Sequence, residues 1–534
     1  MSLPFNLTYW VLSSLPIIVL LLLMMVFKLP ALKAAPLTFL LTLFSGIFIF
    51  KGNLQLISIE LGKALWSSLS IVSVVITAIL LYETSKEARA FSVLNKAFKK
   101  IAPNELIRIL LIGVVFSSFL QGVTGFGVPI LVTAPLLIGI GVSPIYSVII
   151  PLIGHCWAGT FGTLALAWHA LLLQSDGISP ESISMAALYS SFLLGLLNMF
   201  SGLMIAYIYG KFEAIKKGFI AIILVSLTQG IGQILITQVN PDLGVFIPSS
   251  ISALVLYLLS KSPIYNKTWS LKTSKIMIKV ELSDLEPKGS LNVFEAFLPY
   301  IVMTILTISI LVISPVNDFL GSISFGPSFI ETRSGFGVIN SAVNNYSPIK
   351  PFTHASFLLL MSALIGYYYY QSSSFIAKKR FSLVLGRTFR KAIPSSIAVI
   401  SLISISRVMT GTGQTQVLAF GVSSLFGSYF TIVSPFVGLL GAFITSSNMS
   451  SNILFGGFQY ASAHALDLES FLLLGAQTAG GSLGTSIAPS NIILGATTAG
   501  ILGKEGEILK KNLPFVLTIT TLFGIITFII SYIN

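Results

Sequence analysis

The stretch FLQGVTGFGVPILVTAP, Phe119 to Pro135, constrains the fold more than any other part of this 534-residue chain. It is apolar enough to enter lipid, yet Gly122, Gly125, Gly127 and Pro129 interrupt it. In a helix interior, glycine costs about 1 kcal/mol relative to alanine and proline about 3 kcal/mol. Backbone loosened at membrane depth is tolerated only where protein buries it or where it lines a watery cavity. The chain must therefore hold something open around these residues.

Composition fixes the setting. Hydrophobic residues make up 54% and charged residues 9%, with a mean hydropathy of +0.92. A spanning helix needs about 20 largely apolar residues, and such runs recur from Tyr9 to Ile533. The expected class is an all-α polytopic membrane protein embedded in the lipid bilayer. No Lys or Arg precedes Lys28, so Tyr9 to Phe27 reads as a retained span rather than a cleavable signal. The single cysteine, Cys156, excludes an internal disulfide framework.

A net charge of +13 could suggest nucleic acid, but the distribution argues against that partner. With the N-terminus outside and sides alternating, 26 of the 31 Lys and Arg residues fall in inside loops. Lys51, Lys63, Arg333 and Lys350 fall outside, and Arg407 is left in the membrane. This is the positive-inside pattern, and it opposes the inverse orientation.

About twelve spans are expected: 9–29, 33–50, 62–82, 183–209, 217–238, 244–259, 294–313, 353–370, 392–410 and 513–533, with interrupted elements at 144–173 and 466–502. Two further segments, 105–142 and 430–460, should enter and return as re-entrant hairpins. AGTFGT, Ala158 to Thr163, matches GGSLGT, Gly480 to Thr485, at a shift of 322 residues. The same shift carries Gly125, Phe126 and Gly127 onto Ser447, Asn448 and Met449, in the second irregular stretch, FITSSNMSSNILFGG. Glycine-rich packing motifs recur by chance, but two motifs here agree at one fixed separation. The spans that open the two units run in opposite directions, so the units form an inverted structural repeat. The expected division is residues 1–61 as two spans, 62–175 as the first repeat, 176–391 as connecting helices with a cytoplasmic loop at 260–293, 392–502 as the second repeat, and 503–534 as the last span.

Inverted repeats with broken helices at matching positions point to a secondary transporter. A half-helix N-terminus carries about +0.5 elementary charge and unpaired N–H donors, which suit a small organic anion. The substrate candidates are Gly125, Phe126 and Gly127 at one tip, Thr160 at the first break, Ser450, Ser451 and Asn452 at the other tip, and Ser490 and Asn491 at the second break. Their hydroxyls and amides add hydrogen-bond capacity for carboxylate and hydroxyl oxygens. Arg407 ends an apolar run and either pairs with a substrate carboxylate or snorkels to the headgroups. His155 can carry a proton near neutral pH and is a candidate substrate or proton ligand; Glu83, expected at an interface, is a spare proton carrier. His169 and His354 are expected near the membrane faces, and His464 in an outer loop without a role. ETRSGFGVIN, Glu331 to Asn340, reads as a packed outer loop or lid. No metal cluster, phosphate loop or catalytic triad is visible, so no cofactor is expected. An intramembrane enzyme would need paired acids or a His/Glu helix motif within the spans, and neither occurs.

With both tips in view, the chain resembles the lactate permease family over most of its length. The resemblance rests on Gly122, Gly125, Phe126, Gly127 and Pro129, on Phe161 and Gly162, on Ser450, Ser451 and Asn452, and on TAGGSLGTSIAPSNIILGATTAGILGKEGE, Thr478 to Glu507. It implies symport of lactate, often also glycolate, with a proton across the cell membrane. The chain departs from the family pattern at Gln121 and near Asn448, where acidic residues are usual, and at His155, where asparagine is common. A sodium-coupled or uncoupled carrier of another small organic anion remains the alternative.

Overall fold

The computed structural model describes residues 3–27, 29–90, 93, 102–125, 127–175, 177–271, 273–278, 291–377, 380–501 and 503–533. Phe126, most of the basic stretch near 91–101 and the loop residues 279–290 lie outside the described residues.

Helices α1 (Leu7–Met25) and α2 (Ala31–Phe44) open the chain. Next, α3 (Leu54–Glu87) starts where Asn53 Oδ1 accepts from Leu56 N at 2.7 Å, meeting one of the helix's unpaired donors. This cap lies upstream of the expected start at 62, so α3 takes in Glu60. The first irregular region is α4 (Glu105–Val123), a tip, and α5 (Val128–Gly139). Gly125 and Gly127 there have φ of +55° and +77°, the left-handed region that glycine enters without a Cβ penalty. The first broken element is α6 (Pro144–Gly154) followed by α7 (Gly162–Leu172).

Helix α8 (Pro180–Val239) is two helices joined at Lys211, whose φ is +55° and ψ −145°. Both expected spans, 183–209 and 217–238, lie within it. Helices α9 (Phe246–Lys261), α10 (Val293–Thr307) and α11 (Ser314–Gly321) lead to a small hairpin of β1 (Thr332–Arg333) and antiparallel β2 (Ile339–Asn340). ETRSGFGVIN forms this hairpin, tied down by Gly335 N donating to Lys51 O at 2.9 Å.

The remaining helices are α12 (Ala355–Ser372), α13 (Phe381–Thr412), α14 (Gln414–Phe426), α15 (Phe430–Thr445), α16 (Asn448–Ala465), α17 (Ser470–Gly484), α18 (Pro489–Thr498) and α19 (Glu505–Ile533). The sequence reading predicts no element between 411 and 429, but Gly413, at φ +90°, ends α13 and lets α14 start at once. Among the described residues, ten helical segments are long and apolar enough to cross a membrane, α8 being counted once and α14 with α15 as one. Leu235, Phe294 and Phe48 are among the large apolar side chains exposed on the outer helices, a surface that lipid covers.

The 322-residue shift carries α4 onto α15, α5 onto α16, and α3 onto α13 to within a few residues. Helices α3 and α13 pack antiparallel, pinned by ion pairs at both ends. At one end Glu60 accepts from Lys63 Nζ at 2.7 Å and Arg407 Nε at 3.1 Å. At the other, Glu83 meets Lys391 Nζ at 2.5 Å and Arg387 Nε at 3.3 Å, while Glu87 meets Arg387 and Arg380. Glu60 and Glu83 are separated by about 35 Å of helix at 1.5 Å per residue, close to the hydrocarbon thickness of a bilayer. Glu83 is therefore buried inside a helix that runs past its expected end, and its carboxylate already holds two cations.

Removing those cations should be more harmful than removing either one. Arg387→Ala combined with Lys391→Ala leaves the Glu83 carboxylate buried without its partners, a strongly unfavourable state. We expect the double variant to lower the melting temperature in detergent by more than the sum of the single variants, measured by intrinsic fluorescence during a thermal ramp.

Candidate functional site

Between α6 and α7 the chain does not simply pause. Thr163, Leu164 and Ala165 have φ of 52°, 50° and 55°, a left-handed turn made without glycine. Such a conformation costs roughly 1–2 kcal/mol per residue, so the surrounding packing must hold it in place. In the second half the matching break is shorter, Thr485 to Ala488, between α17 and α18.

The first break meets α17, the helix that leads into the second break, through a reciprocal contact. Thr160 Oγ1 donates to Thr478 O at 3.1 Å, and Ser482 Oγ donates to Cys156 O at 2.5 Å. The 322-residue shift turns each bond into the other, since Thr160 maps onto Ser482 and Cys156 onto Thr478. A contact between two copies of one surface about a two-fold axis has this form. Gly159 permits the approach, because a Cβ there would sit 3.2 Å from Ser482 Cα.

Around this contact lies a buried polar network. Asn448 Nδ2 donates to Thr478 O at 3.1 Å and to Thr160 Oγ1 at 3.2 Å. Because a carbonyl can only accept, these bonds fix which way the Asn448 amide points. Asn452 Nδ2 donates to Ala167 O at 2.9 Å and Thr478 Oγ1 at 2.8 Å. Ser451 Oγ donates to Gly438 O at 2.8 Å and accepts from Gln477 Nε2 at 3.1 Å.

A cavity of about 440 Å³ borders the network and gathers both tips and both breaks. Gln121 and Gly127 line it from the first hairpin, His155 and Thr163 from the first break, Ser446 to Ser450 from the second hairpin, and Ser490 and Asn491 from the second break. Three helices, α5, α16 and α18, begin at its wall, and α7 takes up its right-handed course beside it at Leu166, after the left-handed turn. Ser447 caps α16 by accepting from Ser450 N at 3.2 Å, and Asn491 is held by Thr485 O at 2.9 Å. His155 is buried, and its Nδ1 has no hydrogen-bond partner among the described residues. Among those residues, no Asp, Glu, Lys or Arg lines the cavity.

Of the residues expected to bind substrate, Gly127, His155, Ser450, Ser490 and Asn491 line this cavity. Thr160, Ser451 and Asn452 stand behind it and spend their side chains on holding the breaks and hairpin together. Gly125 packs against Thr163, and Phe126 lies outside the described residues. Arg407 is elsewhere. It lines a second cavity of about 960 Å³ with Glu60, Lys63, His169, Tyr346 and His354, its guanidinium 5.4 Å from the Tyr346 ring centre. There His169 Nε2 lies 2.5 Å from Asp242 Oδ1, and His354 Nε2 lies 2.8 Å from Ser70 Oγ. Leu166, just past the left-handed turn, lines both cavities. His464 ends α16 stacked edge-on against Tyr460.

Sequence reasoning missed Thr163, Thr445, Ser446 and Ser447 as cavity residues, although they adjoin the motifs it singled out. It also missed Glu60 and Lys63, whose i, i+3 spacing in an otherwise apolar run was the available signal.

Comparison with known proteins bears on what this architecture serves. The model of a family described as L-lactate permease matches residues 10–534. The chain belongs to the L-lactate permease family. It is similar to the L-lactate permease of Halalkalibacterium halodurans, at 26% identity over 97% of this chain and 96% of the relative. The glycolate permease GlcA of Escherichia coli K12 is 25% identical over 98% of this chain and 95% of its own length. Among solved structures, the Alcanivorax borkumensis YdaH transporter covers 86% of this chain and 85% of its own, at 12% identity and a TM-score of 0.38. This permease-family chain is thus a multi-pass membrane transporter rather than an enzyme.

The reciprocal contact gives a direct test. Ser482→Ala removes a buried donor from Cys156 O, a loss of about 1 kcal/mol. We expect it to lower the melting temperature of purified protein by a few degrees, where Ser423→Ala on an exposed face of α14 leaves it unchanged.

Proposed function

We propose that this protein carries lactate, or a similarly small 2-hydroxy-monocarboxylate such as glycolate, across the cell membrane with a proton. The carrying observation is the convergence of three helix N-termini, those of α5, α16 and α18, on a cavity where the described residues place no charged side chain. Partial positive charge and N–H donors there favour one carboxylate. Ser450, Ser490 and Asn491 add donors and acceptors for the carboxylate and the 2-hydroxyl. The relatives named L-lactate permease and glycolate permease support the same substrate class.

His155 is the one ionisable side chain among the described residues that line the cavity, so we assign it the proton. Glu83 is tied to α13 by two cations, and we assign it to holding the helices together. Arg407 is given the same task at the other end of α3, through Glu60. With the N-terminus outside, the tip cavity reaches the exposed residues Pro30 and Pro394 on the inside. The larger cavity then reaches Lys350 on the outside.

The test is uptake of labelled L-lactate by proteoliposomes, with internal pH fixed and external pH varied, with and without a sodium gradient. We expect an inward proton gradient alone to drive accumulation. His155→Ala should raise the half-saturating lactate concentration at least about tenfold, the loss of one hydrogen bond to a charged group worth about 1.5 kcal/mol. It should also abolish the response to the proton gradient. Accumulation that follows sodium and ignores protons would overturn the coupling.

A further inference from the structure

The tip cavity is much larger than the substrate proposed for it. Lactate has six non-hydrogen atoms and fills on the order of 100 Å³, three to four times the roughly 30 Å³ share of a water molecule. The cavity measures about 440 Å³, a volume that takes in its passage toward Pro30 and Pro394. Its lining also divides chemically. The hydroxyls and amides belong to the tips and breaks, whereas Ile130, Leu166, Ala398, Val399 and Leu494 contribute apolar surface from α5, α7, α13 and α18. Ile130 and Val399 are almost fully enclosed, so Leu166, Ala398 and the half-buried Leu494 supply most of the apolar surface an occupant could meet.

We infer that the cavity accepts 2-hydroxy-monocarboxylates whose side chains are larger and more apolar than the methyl group of lactate, and that it rejects dicarboxylates. The inference rests on the reading that this cavity binds the carboxylate. One carboxylate is met by the helix N-termini, and an alkyl group of several carbons then lies against the aliphatic wall. A second carboxylate would exchange water for that wall with no cation among the described lining residues. Lys63 and Arg407 line the other cavity, where both already hold Glu60. Each added methylene that reaches the wall strengthens binding up to about fourfold, the ~0.8 kcal/mol of a buried CH₂ converted at 1.4 kcal/mol per tenfold.

The test is counterflow in proteoliposomes preloaded with unlabelled lactate. Labelled L-lactate entry is challenged with 2-hydroxybutyrate, 2-hydroxy-4-methylpentanoate and malate, and labelled 2-hydroxy-4-methylpentanoate is then supplied as the entering species. Both monocarboxylates are expected to halve lactate entry at or below the concentration at which unlabelled lactate does so. The labelled larger acid should itself exchange, and malate should require at least tenfold more. Ala398→Phe, which fills the cavity from α13, should shift the preference from the larger acid toward lactate by roughly tenfold. The wild-type comparison decides the matter even if that variant does not fold. Lactate exchange without competition by the larger acids, competition without their exchange, or malate competing as well as lactate would each overturn the inference. Failure of lactate itself to exchange in monodisperse protein would instead overturn the reading beneath it.

Discussion

The reciprocal hydrogen bonds between the first break and helix α17 are the contact on which the rest of the architecture depends. Thr160 reaches the carbonyl of Thr478, and Ser482 reaches that of Cys156, Thr160 and Cys156 standing where the first helix has come apart and Thr478 and Ser482 in the last two turns before the second break. A backbone break in a membrane leaves polar groups that lipid cannot satisfy. Here the hydroxyl of Ser482 meets a carbonyl freed by the first break. The second tip is then placed by the same network, because Asn448 and Asn452 both bond to Thr478.

This arrangement explains which parts were legible in the sequence. Glycines and prolines inside an apolar run can be read directly as loosened backbone, and a fixed shift of 322 residues relates two such sites without knowledge of their contacts. Gly127, His155, Ser450, Ser490 and Asn491 were expected at or beside such loosened points, and one cavity is lined by all five. Thr160, Ser451 and Asn452 carry the same chemistry in the sequence but spend it on one another and on backbone. No local pattern distinguishes a hydroxyl that faces a cavity from one that faces a carbonyl.

The charged residues were harder for a related reason. Glu60 and Arg407 are 347 residues apart, and nothing near either of them announces the other. Hydropathy starts the third span at 62, past Glu60, whereas the structure begins α3 at Leu54, because a paired charge can remain inside. At the opposite end, the pairs of Glu83 with Arg387 and Lys391 let α3 run on to Glu87 and α13 begin at Phe381, ahead of the expected 392. The left-handed turn at Thr163 to Ala165 was illegible for the opposite reason. Its residues are ordinary, and only tertiary packing imposes the conformation.

That turn has an electrical consequence. It brings Leu166 to a position where one side chain borders both cavities. With the two cavities opening to opposite faces, as proposed above, water in each carries the potential of its side inward, and the layer between them at Leu166 is thinner than the hydrocarbon elsewhere. A full elementary charge moved across 100 mV is worth about 2.3 kcal/mol. A larger share of that difference then falls beside Leu166 than along an equal length of the long helices around it.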